Sequence, residues 1–212
     1  NMHGFPKKIS RVDRITTNYK VTWLLEKACN YDCKYCVDHH EKMTKDTRFK
    51  TLEELKHYWG LIHSNISMNG RKIDISFSGG EVTLNKDFIP FLEWLNDTFD
   101  DIDSIIVTSN GSASKKYYME LVSHITNLTL STHVEYFNEK KFFNTIAHLF
   151  SNLKDTVFFI QLMNEDYYPN NRIHLYKKYF EKNNIPYSLM DIDFPPNPFK
   201  TRINTNKELY EF

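Results

Sequence analysis

Short runs of β-branched and aromatic residues alternate along this chain with longer stretches whose apolar positions recur at helical spacing. Residues 20–25, with Val21, Trp23 and Leu24, read as a first strand. Leu52, Leu55, Trp59 and Ile62 then form a stripe, and Thr51 with Glu54 fits a capping box at its start. The same alternation repeats. Residues 72–77 read as a strand, followed by a helix capped by Asn85 with Phe88, Phe91, Leu92 and Leu95 on one face. Residues 102–107 precede a helix capped by Ser114 and carrying Tyr118, Leu121, Val122 and Ile125. Residues 128–131 precede a helix capped by Asn138 and carrying Phe142, Phe143, Ile146 and Leu149. Residues 156–162, a helix over 173–180, and a sixth strand over 185–190 complete the series, which Pro195, Pro196 and Pro198 end.

Strands alternating with helices predict βαβ units and a parallel sheet. Six units fall two short of a closed eightfold barrel, so the expected fold is α/β, a partial (β/α)6 barrel of parallel strands. Residues 20–193 would form it, with an N-terminal extension at 1–19 and a C-terminal tail at 194–212. In such folds the chemistry sits at the carboxyl ends of the strands, so the residues after each strand are the ones to inspect.

Composition changes this picture little. Of 212 residues, 41% are hydrophobic, enough for one sizeable core. Lysine plus arginine and aspartate plus glutamate both count 27, so the formal charge is zero. That balance argues against a dedicated nucleic-acid or membrane-surface binder. No apolar run approaches the roughly 18 residues of a membrane span, and no apolar stretch follows the basic N-terminus. The expected location is cytoplasmic. Lys7, Lys8, Arg11 and Arg14 read as a solvated arm.

The cysteines change it more. All three lie at Cys29, Cys33 and Cys36, directly after the first strand. An odd number in one short cluster is a poor disulfide framework, and metal binding is the better use. Structural zinc wants four closed ligands, which His39 or His40 would complete; packing as inert thiols is a third option. A four-iron cluster takes one thiolate per iron, and three cysteines leave one iron open.

The second strand ends in Gly79-Gly80-Glu81, two residues permissive for close backbone approach followed by a carboxylate. On its own this is a tight turn. Cys-x3-Cys-x2-Cys, with aromatic Tyr35 before the last cysteine, together with this motif one βα unit later, resembles the radical S-adenosylmethionine (SAM) superfamily over residues 21–190. The resemblance implies that Cys29, Cys33 and Cys36 ligate three irons of a [4Fe-4S] cluster and that SAM chelates the fourth. It implies that Gly79, Gly80 and Glu81 hold the SAM ammonium group. It places Tyr35, Ser109 and Asn110, and Ser131 after the fourth strand, near SAM. His133, Gln161 and Asp191 are candidates for substrate contact; their bland readings are an exposed loop histidine and a solvated rim. Asp193 shares the reading of Asp191. No residue is singled out as catalytic.

The implied activity is reductive cleavage of SAM to a 5′-deoxyadenosyl radical, which abstracts hydrogen from a small molecule, nucleotide or peptide. An external one-electron reductant of flavodoxin or ferredoxin type is then required. With no cysteine after Cys36, the chain holds no ligands for a second cysteine-bound cluster and no thiyl hydrogen donor. Val37-Asp38 after Cys36 matches the 7-carboxy-7-deazaguanine synthase group poorly. The branch containing molybdenum-cofactor and peptide-maturation enzymes resembles it better. A short barrel leaves its mouth open, which suits a bulky substrate or a closing partner protein. The alternatives are a zinc module without catalysis and a cluster-binding relative inactive toward SAM.

Overall fold

The structure, a computed structural model, describes residues 18–36, 48–66, 70–164 and 172–192. Six strands form one sheet: β1 (Tyr19–Glu26), β2 (Ile73–Gly79), β3 (Ile102–Ser109), β4 (Asn127–Thr132), β5 (Val157–Asn164) and β6 (Tyr187–Asp191). They lie side by side in sequence order and every pairing is parallel. Five helices alternate with them: α1 (Leu52–Asn65), α2 (Phe88–Thr98), α3 (Lys115–Leu121), α4 (Glu139–Asn152) and α5 (Ile173–Lys182). Among the described residues β1 and β6 do not pair with each other, so this is an open, partial barrel, as the alternation predicts.

One side of the sheet is apolar and carries the helices. Ile73, Ile75, Phe77, Ile105, Val107, Leu128, Leu130, Phe158 and Ile160 are buried in a single core with the helix stripes. Aromatic packing ties β1 into it. Trp23 stacks on Trp59 of α1 with ring centroids 6.4 Å apart and meets Phe91 of α2 edge-on at 5.8 Å. Side chains alternate across a strand. The intervening positions therefore face the other way and are mixed: Thr22, Ser76, Ser78, Thr108, Thr129, Ser131, Gln161 and Ser188 alternate there with Leu24, Ile106, Phe159, Met163 and Met190.

Three of the four expected helix starts are as read. Ser114 and Asn138 accept from the backbone N–H groups of Tyr117 and Lys141. Thr51 and Glu54 form the full capping box, and Arg48 holds the Glu54 carboxylate at 2.9 Å. Thr51→Ala should therefore cost about 1 kcal/mol of stability, read from denaturant unfolding; an unchanged midpoint would show that α1 is held by packing alone.

The fourth start differs. Asn85 does not cap a helix: α2 begins at Phe88 after Asp87. The Asn85 Oδ1 accepts from the N–H of Asp87, the residue before the helix, at 2.9 Å, while its Nδ2 donates to the buried Glu26 carboxylate at 2.7 Å and to the Lys50 carbonyl at 2.9 Å. Two stretches also end differently. α3 stops at Leu121, and Val122–His124 is a tighter 3-10 turn in which the Ser123 hydroxyl donates to the Glu120 carbonyl. Val122 and Ile125 are nevertheless in the core. Ile185 is buried in the turn before β6, after Asn184 at φ 55°. Val37, Asp38, His39, His40, Asp193, the proline cluster, the tail and all but residues 18 and 19 of the N-terminal extension lie outside the described residues.

Candidate functional site

The site is built where β1, β2, β3 and β4 end. The β1–β2 register shifts between Leu24 and Glu26, a bulge that turns the chain toward the cysteines. Glu26 is buried there. Its carboxylate takes the Asn85 amide and the Lys50 backbone N–H, with the Lys50 ammonium at 3.7 Å. The Lys50 ammonium also donates to the Leu25 carbonyl. This pins the strap at residues 48–50 beneath the start of the cysteine loop.

Gly79-Gly80-Glu81 is laced onto that loop. Gly80 N–H donates to the Glu26 carbonyl at 2.6 Å and Glu81 N–H to the Ala28 carbonyl at 2.8 Å. Gly79 has φ 128°, and a Cβ on it would lie 2.4 Å from the Glu26 carbonyl oxygen. On Gly80 a Cβ would lie 2.1 Å from the Ala28 oxygen. The close approach that these glycines permit is thus to the chain's own backbone, just ahead of Cys29.

Glu81 is buried and gathers donors from two strand ends. Its Oε1 accepts from the Thr83 N–H (3.1 Å), the Thr83 hydroxyl (2.7 Å) and Ser109 Oγ (2.8 Å); its Oε2 accepts from the Asn110 N–H at 2.7 Å. Burial pushes its pKa up against the pull of these donors. Ser109 Oγ also meets the Tyr118 hydroxyl at 2.7 Å, and burial, then Glu81, raise that phenol well above its ordinary value. The Asn110 side chain crosses to the cysteine loop. Its Nδ2 donates to Asn30 Oδ1 at 2.9 Å and lies 3.9 Å from Cys29 Sγ. Five of the sequence candidates, Gly79, Gly80, Glu81, Ser109 and Asn110, are therefore in one hydrogen-bonded group against the cysteine segment.

Within the loop, Cys36 N–H donates to the Cys33 carbonyl at 2.9 Å, while Cys29 Sγ accepts from the Tyr31 N–H at 3.4 Å. Cys33 is buried; Cys29 and Cys36 are exposed. Partial burial chiefly, then Glu81 and Cys36 nearby, push the Cys29 thiol up. Tyr35 and His133 come together: the Tyr35 hydroxyl is 2.5 Å from His133 Nδ1, and the rings stack at 13°. Cys33 Sγ lies 3.7 Å from the same nitrogen. Tyr31 packs edge-on against His133 and stacks on Tyr136. Burial lowers the His133 pKa to about 4, so the imidazole is neutral at neutral pH. His133 is thus not an exposed loop histidine.

Ser131 and Gln161 are register partners on β4 and β5. Ser131 Oγ donates to Gln161 Oε1 at 3.1 Å, and Gln161 Nε2 reaches Met190 Sδ at 3.2 Å. Asp191 takes the Asn164 amide at 2.6 Å on the β5–β6 rim. Neither Gln161 nor Asp191 bonds to the cysteine loop among the described residues. Sequence reading missed Glu26, Asn30, Lys50 and Asn85. A glutamate ending an otherwise apolar strand was the available signal for the first; nothing local marks Asn85 as its partner.

Among the described residues, no three His, Cys, Asp or Glu side chains converge closely enough to hold a single metal ion. A four-iron cluster needs one thiolate per iron, not three on one ion. Three cysteines in one loop, two of them open to solvent, and no fourth in the chain fit such a cluster with one free iron. Beside them, Glu81 Oε2 accepts from the Asn110 N–H.

The profile described as "Radical SAM superfamily" matches residues 25–188. GTP 3′,8-cyclase from Haemophilus ducreyi is 33% identical over 136 residues, which are 60% of this chain and 37% of that protein. The S-adenosylmethionine-dependent nucleotide dehydratase from Selenomonas ruminantium is 34% identical over 97 residues, 44% of this chain and 30% of that protein. The chain therefore spans well under half the length of these curated relatives. A solved structure of polyhistidine-tagged anSMEcpe with bound AdoMet superimposes with a TM-score of 0.64 at 15% identity, covering 87% of this chain and 52% of the other. That likeness concerns the fold. No helix among the described residues is long and apolar enough to cross a membrane.

Proposed function

The chain belongs to the radical SAM superfamily, and on that premise we propose that it binds a [4Fe-4S] cluster through Cys29, Cys33 and Cys36, binds SAM beside it, and generates a radical that abstracts hydrogen from a substrate. The observation that carries this reading is the lacing of the Gly79-Gly80-Glu81 turn and Asn110 onto the cysteine loop, which puts soft thiolates, a buried carboxylate and an amide at one strand-end site. Bound together, cluster and SAM supply one-electron reductive cleavage to methionine and a 5′-deoxyadenosyl radical.

The chain's own residues do the rest. Cys29, Cys33 and Cys36 would hold iron as thiolates, having given up their protons. Glu81 holds the β2 and β3 ends in register and offers Oε2 to the ammonium of SAM. The Tyr35 ring gives a flat apolar surface beside the cluster. The sheet face opposite the core, including Ser131 and Gln161, receives the substrate. An external electron donor of flavodoxin or ferredoxin type supplies the electron.

For the substrate we propose a nucleotide. Two observations support this: the two curated relatives described above are named for GTP and for nucleotides, and the sheet face opposite the core offers hydroxyls and an amide, Ser131 and Gln161 among them, beside apolar side chains that a base can pack on. The test uses anaerobically reconstituted protein reduced with dithionite. With SAM it should hold about four irons per chain and release 5′-deoxyadenosine, and a panel of nucleoside triphosphates should raise that release for at least one member. Stoichiometric zinc with no iron and no product would overturn the enzymatic reading in favour of a metal module. Product formation that no nucleotide stimulates would overturn the substrate class alone.

A further inference from the structure

We propose that His133, at the end of β4, is a positioning residue that ties the cysteine loop to the sheet through Tyr35 and that Tyr35 keeps the His133 Nδ1–H away from the Cys33 sulfur. The inference rests on the cluster reading above and concerns His133, which lies outside the cluster motif.

Two groups converge on one nitrogen. The Tyr35 hydroxyl is 2.5 Å from His133 Nδ1, and Cys33 Sγ is 3.7 Å from it, across 98 and 100 residues of sequence. A neutral ring nitrogen carries either a proton or a lone pair, never both. A metal-bound thiolate has no proton to donate. Once Cys33 ligates iron, Nδ1 pairs either with the Tyr35 hydroxyl, which can donate to it or accept from it, or with the sulfur. The much shorter contact selects the phenol as its partner. The ring has little freedom to evade this choice. Tyr35 stacks on it at 13° and Tyr31 packs against it at 72°, both with centroids 6.0 Å away.

The consequence is electronic as well as mechanical. A hydrogen bond donated to a cluster sulfur stabilises the more negative, reduced cluster and raises its potential. Tyr35 withholds that donor and so keeps the cluster a stronger reductant. In Tyr35→Phe the Nδ1 loses its phenol partner, and an Nδ1–H becomes free to donate to the Cys33 sulfur.

The test is an EPR-monitored redox titration of anaerobically reconstituted wild type, Tyr35→Phe, His133→Phe and the double variant, with iron counted on each sample. Tyr35→Phe should shift the midpoint potential upward at unchanged iron content. The double variant should match His133→Phe, because the shift needs the imidazole. A wild-type potential in Tyr35→Phe, or the same upward shift in the His133→Phe background, overturns the inference while leaving the cluster reading intact. Wild type that loads no iron overturns both. Should His133→Phe hold no iron, His133→Gln decides the matter: its amide can pair with the Tyr35 hydroxyl as donor or acceptor, and it should restore loading and a potential close to wild type. Failure to restore them overturns the role of His133 as the partner of Tyr35.

Discussion

Replacing Cys33 by alanine should reduce bound iron from about four per chain to a background level and abolish 5′-deoxyadenosine release, with only about 1 kcal/mol lost from the unfolding free energy of the metal-free chain. Cys33 is the buried cysteine of the three, and its sulfur is the one that lies 3.7 Å from His133 Nδ1. The backbone contact that shapes the loop, Cys36 N–H to the Cys33 carbonyl, does not involve the side chain and survives the substitution. The loop therefore keeps its path and loses one of three thiolates, which leaves a second iron without a protein ligand. Iron counting and denaturant unfolding on the same preparation separate the two effects. Wild-type iron content in the variant would mean that Cys33 is a packing residue, and the cluster assignment would fall. A large loss of stability in the metal-free protein would mean that the sulfur serves the fold first.

The sequence carried those parts of the molecule that depend on near neighbours in the chain. A helix stripe with a Thr51–Glu54 capping box is decided within four residues, and the structure has it. The cysteine loop and the glycine-glutamate turn are likewise local patterns, and their order along alternating strands and helices predicts that they meet at one edge of a parallel sheet. What was illegible depends on register between distant strands. Asn85 looks like a helix cap because its local context is a turn before an apolar stripe. Only the β1–β2 bulge shows that a buried Glu26 lies within reach and claims the amide. Gly79 and Gly80 were legible as permissive residues, but not that the backbone pressing on them belongs to residues 26–28. The Tyr35–His133 pair is invisible for the same reason, because nothing near His133 records which residue of the loop will face it.

Glu81→Ala should leave the cluster able to load but cost SAM affinity and about 3 kcal/mol or more of stability. The carboxylate is the common acceptor for the Thr83 N–H and hydroxyl, the Ser109 hydroxyl and the Asn110 N–H. Each buried donor left without a partner costs about 1–3 kcal/mol, and water entering the vacated space relieves only part of the sum. Glu81→Gln is the sharper probe. It keeps the shape but turns an NH2 toward a donor, Asn110 N–H if the amide oxygen stays with Ser109 and Thr83. Asn110 would then be pushed from its position beside Asn30 and Cys29. The variant should retain iron and lose SAM affinity, measured by equilibrium binding to the reconstituted protein. Intact SAM affinity in both variants would sink the assignment of Glu81 to the SAM site. The pH dependence gives an independent check. Because burial raises the pKa of Glu81 in the folded chain, the folded state holds that proton more tightly than the unfolded chain does. Its contribution to stability is then greatest below the ordinary glutamate range and falls as the pH rises through the raised value. Glu81→Gln should remove that component of the slope, and a slope identical to wild type would show that the carboxylate titrates as it does in the unfolded chain.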